Sequence, residues 1–157
     1  MSPDDAAALA EIQSRSYARP SGFRESWPPE HALDADGFAD FLDAHVYCVL
    51  ATSRPDGRPQ ATPISFLVAD GALWFATGPG ARLRNIRATP YASFVLAEGG
   101  RGEHTAVAAE GPVTLHEVEG VAEIRAAWAV RVQNDPVWAV AFVELRPRLL
   151  FSHRNPR

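Results

Sequence analysis

The sequence predicts a mainly β fold, an antiparallel barrel of six to seven strands with flanking helices. Between Val46 and Leu96, segments rich in β-branched and aromatic residues are separated by Arg54-Pro55-Asp56-Gly57 and by Asp70-Gly71. Gly after Asp accepts the positive φ that a tight hairpin needs, so this stretch reads as a meander. Further on, Gly111-Pro112 interrupts a strand in the manner of a bulge or bend, the device by which barrels turn corners.

The elements follow in order. Pro3 to Tyr17 reads as a helix capped by Ser2, with Pro3 in its first turn and Asp4 and Asp5 complementing the dipole. Its apolar stripe, Leu9 and Ile12, is too thin to anchor it firmly. Arg19-Pro20-Ser21-Gly22 and Trp27-Pro28-Pro29 interrupt regular structure, so residues 1–35 form an N-terminal helix and extended arm and residues 36–157 the barrel domain. Phe23 and Trp27 in the arm require a partner surface, either the domain's own flank or a second subunit. A helix from Asp34 to His45 places Phe38, Phe41 and Leu42 on one face. The strand Val46 to Ser53 is nearly continuous in apolar residues, which predicts burial on both sides and an inert core thiol at Cys48.

The next strand, Arg58 to Ala69, divides by period two into Gln60, Thr62, Ile64, Phe66 and Val68 on one face and Ala61, Pro63, Ser65 and Leu67 on the other. Pro63 removes a ladder donor, which implies a bulge, an edge or a place where the ladder opens to a ligand. Ala72 to Ala76 forms a strand, Ala81 to Ala88 a short helix stopped by Pro90, and Tyr91 to Ala97 an alternating strand. His104 to Leu115 is bent at Gly111-Pro112, and a helix from Glu117 to Val132 carries Val118, Val121, Ile124 and Trp128 as its stripe. Val137 to Leu145 and Leu149 to Ser152 close the barrel.

With 157 residues, 46% hydrophobic and 22% charged, the chain suits one globular domain with a single core. The lone cysteine excludes an intramolecular disulfide. An acidic start and the absence of a long apolar run place the chain in the cytoplasm, with no membrane partner. A net charge of −4 without like-charge blocks argues against nucleic acid. All fifteen basic residues are arginine, so cationic sites keep their charge and no Schiff-base lysine exists. The five histidines show no metal-ligand spacing, and no Ser/His/Asp or Cys/His arrangement emerges, so no catalytic residue is assigned.

One constellation carries chemistry. Thr77-Gly78-Pro79-Gly80 forms a corner that opens the short helix bearing Arg82 and Arg84, aiming cations and free backbone N–H groups at one spot that suits a phosphate. The alternative is solvated surface charge. Trp138 is open to three roles: core, subunit interface, or a wall over a bound ring.

Val49-Leu50-Ala51-Thr52, the Arg54–Pro59 turn, Thr62-Pro63, Asp70-Gly71, Leu73-Trp74-Phe75, Arg82-x-x-Asn85, Pro90 and Glu110-Gly111 together resemble the FMN-binding split barrel of the pyridoxamine 5′-phosphate oxidase-like superfamily. The pattern, over residues 38 to 152, is particularly similar to the short branch that includes deazaflavin-dependent reductases. The resemblance implies a homodimer with a cofactor groove between the subunits. It implies contacts to the ring and ribityl chain from Arg58, Gln60, Thr62, Pro63 and Ser65. It assigns the phosphate to Thr77 and Arg82, with Arg84 a second cation and Asn85 the last residue of the motif. Where the family commonly has lysine, this chain has Arg82, bulkier but well suited to phosphate.

The cofactor so implied is FMN or, alternatively, a deazaflavin coenzyme of the 8-hydroxy-5-deazaflavin type. The function implied is hydride transfer between that cofactor and a small organic substrate. A non-catalytic flavin- or haem-binding barrel is the alternative. Pyridoxamine 5′-phosphate oxidase itself is a weaker one, since Arg146, Arg148, His153 and Arg154 only faintly echo its substrate motif.

Overall fold

The computed structural model describes residues 1–155. Its strands are β1 (Tyr47–Ser53), β2 (Pro59–Ser65), β3 (Leu67–Ala69), β4 (Ala72–Thr77), β5 (Tyr91–Gly99), β6 (His104–His116), β7 (Ala141–Leu145) and β8 (Leu149–Arg154). They pair antiparallel in the order β2-β1-β5-β6-β7-β4-β3, with β8 on β6, and the sheet curls into a half-barrel. The helices are α1 (Pro3–Tyr17), α2 (Phe23–Ser26), α3 (Ala35–Asp43), α4 (Ala81–Ala88) and α5 (Ala122–Val132). No helix among the described residues is long and apolar enough to cross a membrane.

The hairpin chemistry works as the residue types require. Asp70 and Gly71 take φ of 55° and 66°, the paired positive values of a tight two-residue turn between β3 and β4. Gly111 marks the corner: β6 pairs with β5 and β8 before it and with β7 after it. A Cβ at Gly111 would lie 2.1 Å from the Arg146 carbonyl oxygen, so only glycine lets the two backbones approach there.

The eighth strand arises because the predicted strand Arg58 to Ala69 breaks at Phe66. That residue donates its N–H to the Val46 carbonyl at 3.1 Å and hands the chain from β1 to β4. Pro63 sits on β2, which ends the sheet, so the missing ladder donor costs nothing on the open side. The core between the sheet halves contains Phe38, Leu50, Phe66, Phe75, Phe94 and Val143, with Phe66 edge-on to Phe94 at 5.3 Å. A second cluster, including Trp74, Trp128 and Phe142, lies beneath α5.

Four expectations are corrected. Strand β1 is not buried on both sides: Cys48, Leu50 and Thr52 point inward, whereas Tyr47 is 63% and Val49 40% exposed. An antiparallel sheet can leave one face open, and nothing among the described residues covers the outer face of β1. The last helix begins as a 3-10 turn at Val118–Val121, and only Trp128 of its stripe is fully buried. The strand expected from Val137 starts at Ala141, because Val137 and Ala139 turn back onto Asp135 and Pro136. Trp138 therefore lies in a turn, not on a strand.

Finally, α1 is firmly anchored, by polar groups in place of a wide apolar stripe. The Tyr17 hydroxyl donates to the Ser152 carbonyl at 2.9 Å, Leu150 N–H donates to Ser16 Oγ at 3.0 Å, and Gln13 donates to the Leu33 carbonyl at 2.7 Å. Asp5 closes a capping box with Ser2 and accepts the Gly71 N–H at 2.8 Å. Burial pushes the Asp5 carboxyl up, but the hydrogen bonds from Ser2 and Gly71 outweigh it and hold the group below its usual range. The arm packs on the chain's own flank. Phe23 stacks on Phe151 with centroids 4.8 Å apart, and Trp27 on His153 at 6.0 Å.

Candidate cofactor site

The β1–β2 ladder pairs Leu50 with Thr62 and Thr52 with Gln60. Period two puts Gln60 and Thr62 on the same face of β2, toward α4. On α4, Arg82 and Asn85 are three residues apart and share a face. The two spacings mesh. Arg82 Nη2 donates to Thr62 Oγ1 at 2.7 Å, and Asn85 Nδ2 donates to Gln60 Oε1 and to Thr52 Oγ1, both at 3.0 Å. Leu83 and Ile86 are buried and hold the helix to the barrel.

Arg82 is the unusual member. It is half-buried, its Nε–H is buried without an acceptor, and among the described residues it makes no ion pair. Burial lowers its pKa from the ordinary guanidinium value, although arginine stays charged at working pH. A desolvated cation with an unused donor is the arrangement expected where an anion is meant to sit. The start of α4 adds to this. Gly80 provides no side-chain cap, and a Cβ there would meet nothing within 4 Å, so open space faces the helix N-terminus. Arg84 is exposed and also makes no ion pair among the described residues.

Of the residues assigned from sequence, the structure brings Gln60, Thr62, Arg82 and Asn85 together between α4 and β2, in two hydrogen-bonded sets, Arg82 with Thr62 and Asn85 with Gln60 and Thr52. Arg58 is elsewhere engaged: it is exposed and donates to Asp56 through Nε at 2.9 Å and Nη2 at 2.7 Å. Pro63 and Ser65 lie on the opposite face of β2 from Gln60 and Thr62, with Pro63 exposed and Ser65 buried. Thr77 is buried at the end of β4, and its hydroxyl donates to the Gly78 carbonyl at 3.3 Å. Asn85 is 3% exposed and braces the strands.

Sequence reasoning passed over Thr52 as a site residue. Its signal was the Arg54–Gly57 turn, which sets Thr52 opposite Gln60. Trp138 stands beside the corner: a Cβ at Gly78 would lie 3.5 Å from its ring.

Two other features lie apart from the network. Cys48 is buried, and desolvation pushes its thiol up to about 12, which makes it inert. A cavity of about 760 Å³ opens at the far end of β5, lined by residues that include Glu30, His31, Glu98, His104 and Arg154, none of them in the network. Among the described residues, no group of three His, Cys, Asp or Glu is arranged to hold a metal ion.

The architecture is a curled antiparallel half-barrel with a cationic helix corner beside the edge hairpin. Residues 35–152 match the family model described as pyridoxamine 5′-phosphate oxidase, and the chain belongs to that family. Solved structures agree in fold. A conserved hypothetical protein of Mycobacterium tuberculosis superposes with a TM-score of 0.72 at 23% identity, covering 82% of this chain and 89% of that one. A FAD-binding protein of Mesorhizobium loti gives 0.66 at 21% identity, over 80% and 96%. HutZ, the haem storage protein of Vibrio cholerae, gives 0.61 at 16% identity, over 76% and 93%. No curated protein matches the chain.

Proposed function

We propose that the chain is an oxidoreductase that binds a flavin or deazaflavin cofactor and moves a hydride between it and a small organic substrate. The observation that carries this reading is Arg82: a half-buried guanidinium with no ion pair among the described residues and an unused Nε–H, next to an uncapped helix start. Those features fit the phosphate of such a cofactor. Arg82 and Arg84 would hold it by charge and fork geometry, and Gln60 and Thr62 would face the ribityl chain and ring. When bound, the cofactor supplies the hydride chemistry, while the chain's residues bind it, orient it and keep water away. Structural neighbours that are themselves FAD-binding proteins support a flavin.

The reading includes a homodimer. Tyr47, Val49 and Val95 leave apolar area exposed on the outer face of β1 and β5, beside the exposed Pro63, and a second copy would cover it. The N-terminal helix and arm form a separate segment in this proposal, laid on the barrel.

The test is equilibrium binding of FMN and of the deazaflavin coenzyme to purified protein, followed by fluorescence, then turnover with NAD(P)H or reduced deazaflavin. Tight binding of one cofactor with turnover supports the reading. Binding without turnover favours a sequestering protein, and binding of neither refutes it. Sedimentation that shows only monomer removes the homodimer.

A further inference from the structure

The outer face of the sheet is covered on one side by the chain itself, and the cover stops partway across. The ladders align one row of outward side chains over β2, β1, β5, β6 and β8: Pro63 faces Val49, Val49 faces Val95, Val95 faces Ala108, and Ala108 faces Phe151. Phe151 points away from the core and belongs to neither apolar cluster, yet it is only 2% exposed. The N-terminal segment lies on it. Phe23 stacks flat on its ring at 4.8 Å, and Tyr17 meets it edge-on at 5.1 Å. The neighbouring row ends in the same way: Ala97 faces Ala106, Ala106 faces His153, and the rings of Trp27 and His31 pack on His153.

At the opposite end of the first row Pro63, Val49 and Val95 stay exposed. Phe23 marks the boundary: with one ring face on Phe151 it is still 43% exposed. Phe23, Tyr47, Val49, Tyr91 and Val95 are five of the nine large apolar side chains left exposed among the described residues, so this one face gathers more than half of them, as a docking surface does.

Two observations select a second copy as the occupant. Neither row carries an Asp, Glu or Arg, so a chain of net charge −4 can meet its own copy here without like-charge repulsion. Strand addition at the open edge is disfavoured, because Pro59 and Pro63 on β2 offer no N–H to an added strand. That leaves a face-to-face contact.

We propose that the N-terminal arm, which precedes the family match at residues 35–152, forms one side of that contact: the copy seated on Tyr47, Val49 and Val95 also closes over the exposed part of Phe23. The inference rests on the homodimer reading above and adds to it a segment that the matched family region does not supply.

Sedimentation equilibrium of the full chain gives the dimer Kd. Fluorine NMR of protein labelled with 4-fluorophenylalanine, with the residue 23 signal assigned through Phe23→Leu, reports the surroundings of that ring as the dimer dissociates on dilution. Phe23→Ala should weaken the dimer roughly tenfold or more, and Val95→Arg should leave only monomer, each with the circular dichroism of the folded chain retained. The residue 23 signal should shift in step with dissociation. A dimer that dissociates with that signal unmoved, that keeps its Kd in Phe23→Ala, or that survives Val95→Arg overturns the proposal while the homodimer stands. A wild-type chain that sediments only as monomer removes the homodimer and the proposal with it.

Discussion

Replacing Arg82 by methionine separates function from stability. Among the described residues the Arg82 side chain makes one hydrogen bond, to Thr62, leaves its buried Nε–H unsatisfied and forms no ion pair. Losing a hydrogen bond to a charged group costs about 1.5–3 kcal/mol, whereas relieving an unsatisfied buried donor returns about 1–3 kcal/mol. Methionine keeps most of the stem packing. The two effects nearly cancel, so Arg82→Met should stay within about 1 kcal/mol of wild type in urea unfolding, and within roughly 4 °C in Tm for a chain of this size.

Binding behaves differently, because the charge-assisted contacts to a phosphate have no substitute. A loss of about 2–3 kcal/mol raises the Kd for FMN or deazaflavin roughly 30- to 140-fold. The assay is a urea titration and a fluorescence titration on the same preparations. Destabilisation by more than about 3 kcal/mol with unaltered affinity would refute the reasoning, since Arg82 would then be a structural residue.

Three further outcomes follow from the fold. Gly111→Ala should unfold the protein or destabilise it severely in thermal melts, because the added Cβ would lie 2.1 Å from the Arg146 carbonyl oxygen, a backbone atom that cannot step aside. Asp5→Ala should cost about 1–2 kcal/mol, measured by urea unfolding at pH 7, through loss of the capping box and the Gly71 contact. Because the folded Asp5 pKa is depressed, this contribution is present above about pH 4 and fades as pH falls through the folded value, so the mutant and wild type should converge in acid. Cys48 should resist iodoacetamide at pH 8 until denaturant is added, since burial holds its thiol near 12.

The elements were legible in the sequence because the signals for them are local. Ser2 and Pro3 start α1, Pro90 stops α4, Asp70-Gly71 makes the hairpin, and the alternation of Ala92, Phe94 and Leu96 with Tyr91, Ser93 and Val95 tells the inner face of β5 from the outer one. The Arg82-x-x-Asn85 spacing and the period of β2 placed half of the site on two elements. What the spacing leaves open is which groups meet. Arg58, expected against the ring and ribityl chain, is drawn off by Asp56, two residues before it.

Burial and polar satisfaction are decided between distant segments. The apolar run of β1 does not reveal that one of its faces goes uncovered, because that depends on what stacks against the sheet. The thin stripe of α1 does not reveal that Gln13 is held by the Ser152 hydroxyl from 139 residues away. Nor does Asn85 reveal that its two hydrogens go to Thr52 and Gln60. By itself the sequence determined the tight turns, most of the strands and helices and the permanent charges, which depend on neighbouring residues and backbone sterics. Only the tertiary structure decided which sheet face is core, which polar groups are paired and that the Arg82 Nε–H finds no acceptor among the described residues, because desolvation and hydrogen-bond partnership exist only once remote parts of the chain are brought together.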